Sequence, residues 1–198
     1  MSAAASPFGR PSARELQRQR TRASLFEAAI AEFTKVGFDR ASVAEIARAA
    51  GVSRPTFYFH FPTKEHVLLE LQWHKELELV ERLEGCQTLA DVLRTLPDAL
   101  ERILDEIGDT RLARDMIGIY ARLPDYLPLA EQPFPLVRLL ERRFAEGAAR
   151  GELRRGIDPK QATYLCLSGV FGYLTAGSPP GADRHADLRA MLSLYLES

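Results

Sequence analysis

Apolar residues recur with the period of an α-helix along most of the chain. From Leu25 to Val36 they are spaced by three and four positions, as on the buried side of an amphipathic helix. Similar spacing, or a helix start signal followed by a stop signal, marks eight later stretches. These are residues 43–50, 54–61, 63–84, 88–107, 112–123, 136–149, 162–176 and 188–195. No strand-like alternation of useful length appears, so the sequence predicts an all-α chain of about nine helices, with Pro97 expected to kink or split the fifth.

Two of the predicted helices are short and are joined by a turn of only three residues. Ser42 and Glu45 form a capping-box pattern at the start of the first helix, and Ser53 can cap the second. Gly51 permits the chain to reverse in the turn because it lacks a Cβ atom. A longer amphipathic helix precedes the pair. The spacing therefore predicts a helix-turn-helix motif at 42–61.

The fourth predicted helix has two apolar stripes, as expected of a helix that lies between two bodies. One stripe includes Val67 and Leu71, and the other includes Trp73 and Val80. We therefore place the boundary between two domains at the start of this helix. The predicted parts are a disordered N-terminal arm at 1–11, a helix-turn-helix domain at 12–62 and a helical domain at 63–198.

Charge is distributed unevenly along the chain. Residues 1–65 carry 10 Lys and Arg against 6 Asp and Glu, whereas the remainder carries 16 against 21. A basic N-terminal region followed by an acidic remainder favours a polyanion such as nucleic acid as the partner. The arginines between Arg10 and Arg22 could equally form a flexible arm that reaches DNA or a merely solvated one, and the charge alone leaves both interpretations open.

Composition narrows the class of protein further. The 198 residues are 46% hydrophobic, which is enough for a buried core, and no apolar run reaches the length of a membrane span. The first residues lack the basic and apolar regions of a secretory signal. Cys86 and Cys166 are 80 positions apart and are expected to be buried thiols rather than a disulfide framework. We therefore expect a cytoplasmic protein with no membrane partner.

The sequence contains no motif that indicates catalysis or metal binding. His66 and His74 are eight residues apart, and neither a Cys nor a third His stands at ligand spacing beside them. A glycine-rich phosphate loop, a nucleophile elbow and a distinct pair of carboxylates are also missing from the sequence. We therefore expect no enzymatic activity, no metal site and no cofactor.

A dense set of small, apolar and aromatic residues lies between residue 22 and about residue 70. Its members are Leu25, Ala28, Ala29, Phe33, Gly37, Phe38, Ser42, Val43, Ile46, Ala47, Ala49, Ala50, Gly51, Val52, Ser53, Thr56, Phe57, Tyr58, His60, Phe61, Lys64, Glu65 and Leu68. This set resembles the TetR family of transcriptional regulators. The resemblance implies a DNA-binding domain followed by a helical domain for ligand binding and dimerisation.

The resemblance also implies which residues meet DNA, with the second helix of the motif as the recognition helix. Arg54 is best placed to reach guanine, and Tyr58 and His60 match positions that bond phosphates. Many family members carry a smaller residue where Pro55 stands, which affects the bases that are read rather than whether DNA is bound. The predicted DNA contacts are Ser42, Ser53, Arg54, Pro55, Thr56, Tyr58, Phe59, His60 and Lys64.

Two further roles are implied for the C-terminal helices. The first is a small-molecule pocket beneath the fourth helix, for which ordinary core packing of each residue is the alternative. Its expected lining is Trp73, Leu77, Met116, Tyr120, Phe144 and Tyr164. Because no charged residue recurs among them, the expected effector is apolar or aromatic. The second role is a homodimer interface, expected at Gly169, Gly172, Ala176, Leu188, Met191, Leu192 and Tyr195.

Together with the helix-turn-helix motif, the resemblance implies a small-molecule-responsive repressor that binds a palindromic operator as a homodimer. Two alternatives stay open at this point. One is a small helical enzyme or ligand carrier with a vestigial helix-turn-helix, against which the basic N-terminal region argues. The other is an activator that works without a small effector, which a C-terminal half lacking a cavity would favour.

Overall fold

The computed structural model describes residues 12–119, 134–176, 181 and 183–197 of the chain. Within these ranges there are nine helices, which confirms the predicted all-α class. They are α1 (Ala13–Val36), α2 (Val43–Ala49), α3 (Arg54–His60), α4 (Glu65–Leu83), α5 (Leu89–Ile107), α6 (Thr110–Gly118), α7 (Pro135–Ala149), α8 (Pro159–Ala176) and α9 (Arg184–Ser193). The described residues contain no β-strand, only an isolated antiparallel bridge between Leu153 and Leu196.

The chain divides into two compact units, one ending at Val67 and the other beginning at Leu68. The division falls inside α4, so this helix belongs in part to each unit. α4 itself begins at Glu65, two residues later than the apolar pattern predicts. The reason is local: Thr63 bonds His66 in the turn that precedes the helix, with 3.0 Å between Thr63 Oγ1 and His66 Nδ1.

The first unit consists of α1, α2, α3 and the start of α4 around a small apolar core. α1 contributes Leu25, Ala29 and Phe33, which are buried on the side that the helical spacing predicts. The chain reverses after α1 at Gly37, whose φ of 87° is a conformation that favours glycine. Gly51 has a φ of 68° in the turn of the helix-turn-helix, so both reversals depend on the absence of a Cβ atom.

The start of α2 differs from the predicted capping box. Ser42 caps the helix as expected, and its Oγ accepts a hydrogen bond from the Ala44 N–H at 3.2 Å. Glu45, however, pairs with Arg48 at 2.6 Å instead of returning to the backbone of the cap. An arginine one turn later competes for the carboxylate, and Ser42 bonds the N–H of the second helical residue rather than the third, so neither bond of the capping box forms.

The second unit packs α7 against α8 and α5 against α9. α5 is continuous from Leu89 to Ile107 with a buried Pro97 inside it, so Pro97 does not split the helix. Cys86 and Cys166 are buried free thiols, as predicted, and burial raises the pKa of Cys166 to about 12. No described helix is long and apolar enough to cross a membrane.

Candidate nucleic-acid interface

Helix α3, the predicted recognition helix, has one buried side and one exposed side. Phe57 and Phe61 are fully buried and lie one helical turn apart, with 5.8 Å between their ring centroids. These two rings fix the rotation of α3 on the first unit. As a result Arg54, Tyr58 and Phe59 are exposed, and Phe59 has 68% of its surface accessible to solvent. Such a row of accessible groups on a short helix has the form that a major groove accepts.

The N-terminal turn of α3 is held by its own side chains. Ser53 Oγ accepts from the Thr56 N–H at 3.3 Å and bonds Thr56 Oγ1 at 2.8 Å. Pro55 occupies the first turn, where a missing N–H costs little. Ser53, Arg54 and Pro55 are exposed, and Thr56 is half-buried. The structure therefore presents this end of the helix in one defined geometry.

His60 is placed differently from the other predicted contacts because its side chain is buried. Its Nδ1 is enclosed without a hydrogen-bond partner among the described residues. Burial lowers the pKa of His60, and the positive charges of Arg22 and Arg18 lower it further. Burial and the two arginines therefore both favour the neutral form of the imidazole over the charged form.

Lys64, in the turn before α4, bonds the turn that follows α1. Its Nζ donates to the carbonyl oxygens of Phe38 at 2.7 Å and Asp39 at 3.1 Å, and it lies 4.5 Å from the centre of the Phe38 ring. The predicted phosphate contact of Lys64 thus shares this amine with bonds that hold the turn after α1. Ser42 is half-buried at the start of α2, where its Oγ is engaged in capping.

Two arginines of α1 support the exposed side of α3, a role that the sequence analysis did not assign. The guanidinium of Arg22 donates to the His60 carbonyl oxygen and lies 4.1 Å from the centre of the Phe61 ring. The guanidinium of Arg18 lies 5.4 Å from the centre of the Phe59 ring. Both belong to a regular helix, which corrects the idea that these residues form a flexible arm. Their spacing of four along a helix was the signal that could have indicated a shared face.

The residues predicted to line a ligand pocket do not come together. Leu77 and Tyr164 are exposed, Phe144 is buried against Tyr195, and Tyr120 lies outside the described residues. Trp73 is half-buried beside Phe134 and Arg138. Among the described residues of the predicted set, only Met116 lines the cavity that opens beside α4 in the second unit.

That cavity contains an acidic residue, which the sequence analysis missed. Glu76 is buried on α4 and accepts hydrogen bonds from Gln72 Nε2 at 2.8 Å and from the Leu136 N–H at 2.9 Å. Burial raises the pKa of Glu76 to about 7 despite these two bonds, which act in the opposite direction. The apolar pattern of α4 does not predict this burial, because Glu76 is charged and lies between the two apolar stripes of the helix.

The predicted dimer residues divide into an inner and an outer group. Leu188 and Leu192 are buried within the protomer, and Met191 packs close to Gly169. Gly172 and Ala176 are exposed on α8, and Tyr195 is half-buried against Phe144. Three large apolar side chains that the prediction omitted are exposed on the same two C-terminal segments. They are Tyr164, Leu165 and Leu194.

Comparison with known proteins identifies the first unit by sequence. The family model described as "Bacterial regulatory proteins, tetR family" matches residues 25–71. The HTH-type transcriptional regulator EthR of Mycolicibacterium smegmatis is 51% identical over 65 residues, which are 33% of this chain and 30% of that protein. The chain thus covers about a third of this relative's length.

Two comparisons extend over most of the chain. The HTH-type transcriptional regulator TtgR of Pseudomonas putida is 31% identical over 166 residues, which are 79% of each protein. The crystal structure of Thermus thermophilus FadR, a TetR family transcriptional repressor in complex with lauroyl-CoA, superposes with a TM-score of 0.69 at 27% identity. That match covers 87% of this chain and 92% of the FadR chain.

Proposed function

The chain belongs to the TetR family of transcriptional regulators, and from this premise we propose that it is a homodimeric repressor released from a palindromic operator by a small molecule. The proposal specifies three things beyond the family: the face that reads DNA, the assembly that sets the spacing and the presence of an effector. Each is supported by a separate feature of the described residues.

The observation that carries the proposal is the outward side of α3. Arg54 is exposed at the start of the helix, and Tyr58 and Phe59 are exposed in its second turn. An arginine can donate two hydrogen bonds to guanine O6 and N7, and an aromatic side chain can contact the methyl group of thymine or a sugar. Tyrosine hydroxyls commonly bond phosphates, which sets the register of the helix in the groove. This side of α3 therefore supports sequence-specific binding.

A homodimer is the assembly that suits such a short recognition helix. One recognition helix of this length contacts few base pairs, whereas two helices about 34–36 Å apart read successive major grooves of one face of B-DNA. Tyr164, Leu165 and Leu194 are exposed apolar groups in the second unit, where a symmetric interface would cover them.

An effector is supported by the cavity that opens beside α4. A ligand shifts a regulator between states only when it binds one of them more tightly. α4 extends from the first unit into the second, so a change at its cavity-lining residues changes an element shared with the DNA-binding unit. The FadR structure with lauroyl-CoA shows a regulator of similar architecture with a small molecule bound.

The test is a gel-shift titration of the purified protein on the DNA upstream of its own gene. We expect Arg54→Ala to weaken binding by about 5- to 150-fold for each recognition helix, which corresponds to the ~1–3 kcal/mol of a good base contact. Tyr58→Ala should weaken binding to all sequences to a similar or smaller extent. Arg155→Ala, a matched change at an exposed arginine of the second unit, should bind normally. Undiminished binding by both α3 variants would reject the assignment of the recognition helix.

A further inference from the structure

A pair of polar side chains is buried in the apolar interior of the second unit. Gln72 is 3% exposed and Glu76 is 2% exposed, and they lie one turn apart on α4. Gln72 Nε2 donates to Glu76 Oε1 at 2.8 Å. Glu76 Oε2 accepts from the Leu136 N–H at 2.9 Å, in the first turn of α7. Each carboxylate oxygen therefore has one donor.

The pair retains unused capacity to accept hydrogen bonds. Gln72 Oε1 is buried and has no hydrogen-bond partner within the described part of the chain. Buried polar atoms are normally paired, so a carbonyl oxygen in this state marks a place where a donor is missing. The Glu76 carboxylate can accept further bonds, because each of its oxygens has two lone pairs. What this site lacks is a donor.

The cavity beside the pair is otherwise walled by apolar side chains. They include Leu79, Leu100, Ile103, Met116, Leu136 and Phe171. Lys75 also lines the cavity, but its Nζ pairs with Glu78 at 2.8 Å. The volume of about 20 Å³ holds roughly one water molecule, so a larger ligand must displace wall side chains. Met116 is the wall residue best suited to move, because an unbranched thioether adopts many shapes at low cost.

We propose that Gln72 and Glu76 form the polar end of the effector site, and that the effector is an apolar molecule with one protonated amine. An ammonium group supplies three N–H donors, enough for Gln72 Oε1 and for the carboxylate of Glu76. It also compensates a buried negative charge that the apolar wall does not stabilise. This inference rests on the proposed function, since it names the chemical class of the effector. A carboxylate ligand would bring a second negative charge and no donor.

This effector differs from the apolar or aromatic one that the sequence predicts, whose described lining residues the structure does not bring together. It also predicts a preference different from that of the FadR structure, whose bound molecule is lauroyl-CoA. A ligand that bonds Glu76 shares its carboxylate with the Leu136 N–H. Binding of an amine is therefore coupled to the hydrogen bond that joins α4 to the start of α7.

Calorimetric titration with matched 12-carbon probes tests the proposal on the full-length protein at pH 7.5. The probes are dodecylamine, dodecanoic acid and lauroyl-CoA, each below its micellar concentration. We expect dodecylamine to bind at least about tenfold more tightly than dodecanoic acid, as one lost charge-assisted hydrogen bond implies. The fluorescence of Trp73, the single tryptophan of the chain, gives an independent readout because its ring lies 6.2 Å from that of Phe134, two residues before the Leu136 N–H that bonds Glu76.

Three variants separate the polar pair from general effects. Glu76→Gln should weaken dodecylamine binding by at least about tenfold, and Gln72→Leu should weaken it by a smaller factor. Glu81→Gln, an identical change at an exposed position of the same helix, should bind like the wild type. Circular dichroism spectra confirm that each variant is folded before it is titrated.

The outcomes distinguish this proposal from the proposed function. Failure of dodecylamine to bind, equal binding of the acid and the amine, or unchanged binding by Glu76→Gln would each overturn the amine site. If the operator complex forms and is released by dodecanoic acid or lauroyl-CoA alone, the proposed repressor function is supported and the amine site is rejected. If dodecylamine binds in a Glu76-dependent manner but no operator complex forms, the amine site is supported and the proposed repressor function is rejected.

Discussion

Arg22 connects α1 to the end of the recognition helix through a single side chain. Its guanidinium donates to the His60 carbonyl oxygen, which lies in the last turn of α3, and it stacks on the Phe61 ring. The last carbonyl groups of a helix have no partner within the helix itself, so an arginine there satisfies an acceptor and offsets the helix dipole. The arginine is part of the framework that orients Tyr58 and Phe59.

This role predicts a loss of stability and of DNA affinity in Arg22→Ala. We expect the first unit to lose about 1–3 kcal/mol, the combined size of a charged hydrogen bond and a cation–π contact in a partly buried place. Thermal denaturation followed by circular dichroism measures the stability, and gel shift measures the affinity.

The matched control is Arg20→Ala, which removes an exposed arginine from the same helix. Arg22→Lys tests the geometry, because lysine keeps the charge but cannot stack as a planar fork. We expect Arg22→Lys to recover less than half of the lost stability. Equal effects of the Arg22→Ala and Arg20→Ala changes would show that charge alone matters at this end of α3.

At the scale of elements, the sequence predicts helices well where the signal is local. The capped start of α3 and the glycine reversal at Gly51 depend on neighbouring residues, and the structure has them where the sequence places them. The lining of the cavity depends on how distant helices rotate against each other. Tyr164 is exposed and Glu76 is buried, and neither orientation can be derived from spacing along one helix.

The burial of Glu76 on α4 predicts an unusual dependence of stability on pH. Burial raises its pKa from an ordinary value of 4.5 to about 7, so the folded state holds this proton more tightly than the unfolded state. The contribution of Glu76 therefore favours folding below pH 4.5 and is lost as the pH rises to 7. A shift of this size corresponds to roughly 3 kcal/mol of unfolding free energy.

Glu76→Gln should remove that pH dependence. The amide stays neutral, keeps an acceptor for the Leu136 N–H and can donate to Gln72 Oε1, so we expect the second unit to gain about 1–3 kcal/mol at pH 8. The measurement is the difference in Tm between the variant and the wild type at pH 5 and at pH 8. Glu81→Gln serves as the exposed control, and a difference in Tm that is the same at both pH values would contradict the argument.

At the scale of the whole molecule, the proposed function requires a dimer that sets two recognition helices at a fixed distance. A monomer has only one short α3. The affinity of a single recognition helix for DNA is dominated by phosphate contacts, which carry no sequence information. The exposed Leu165, which is 61% accessible, lies on α8 close in sequence to Tyr164 and Gly169. Isolated apolar residues are common on surfaces, but several on neighbouring C-terminal segments indicate a covered face.

In the homodimer that we propose, Leu165→Glu should therefore shift the protein from dimer to monomer. A charge placed in the apolar centre of an isologous interface is buried twice, once from each protomer, and each buried carboxylate without a partner costs several kcal/mol. We expect sedimentation velocity to show a monomer at micromolar concentration, and operator affinity to fall by at least about tenfold because the paired binding is lost. Leu77→Glu is the matched control, since Leu77 is also an exposed leucine of the second unit, on α4. A Leu165→Glu protein that stays dimeric would place the interface on another face, and a monomer that retains full operator affinity would remove the need for the dimer in recognition.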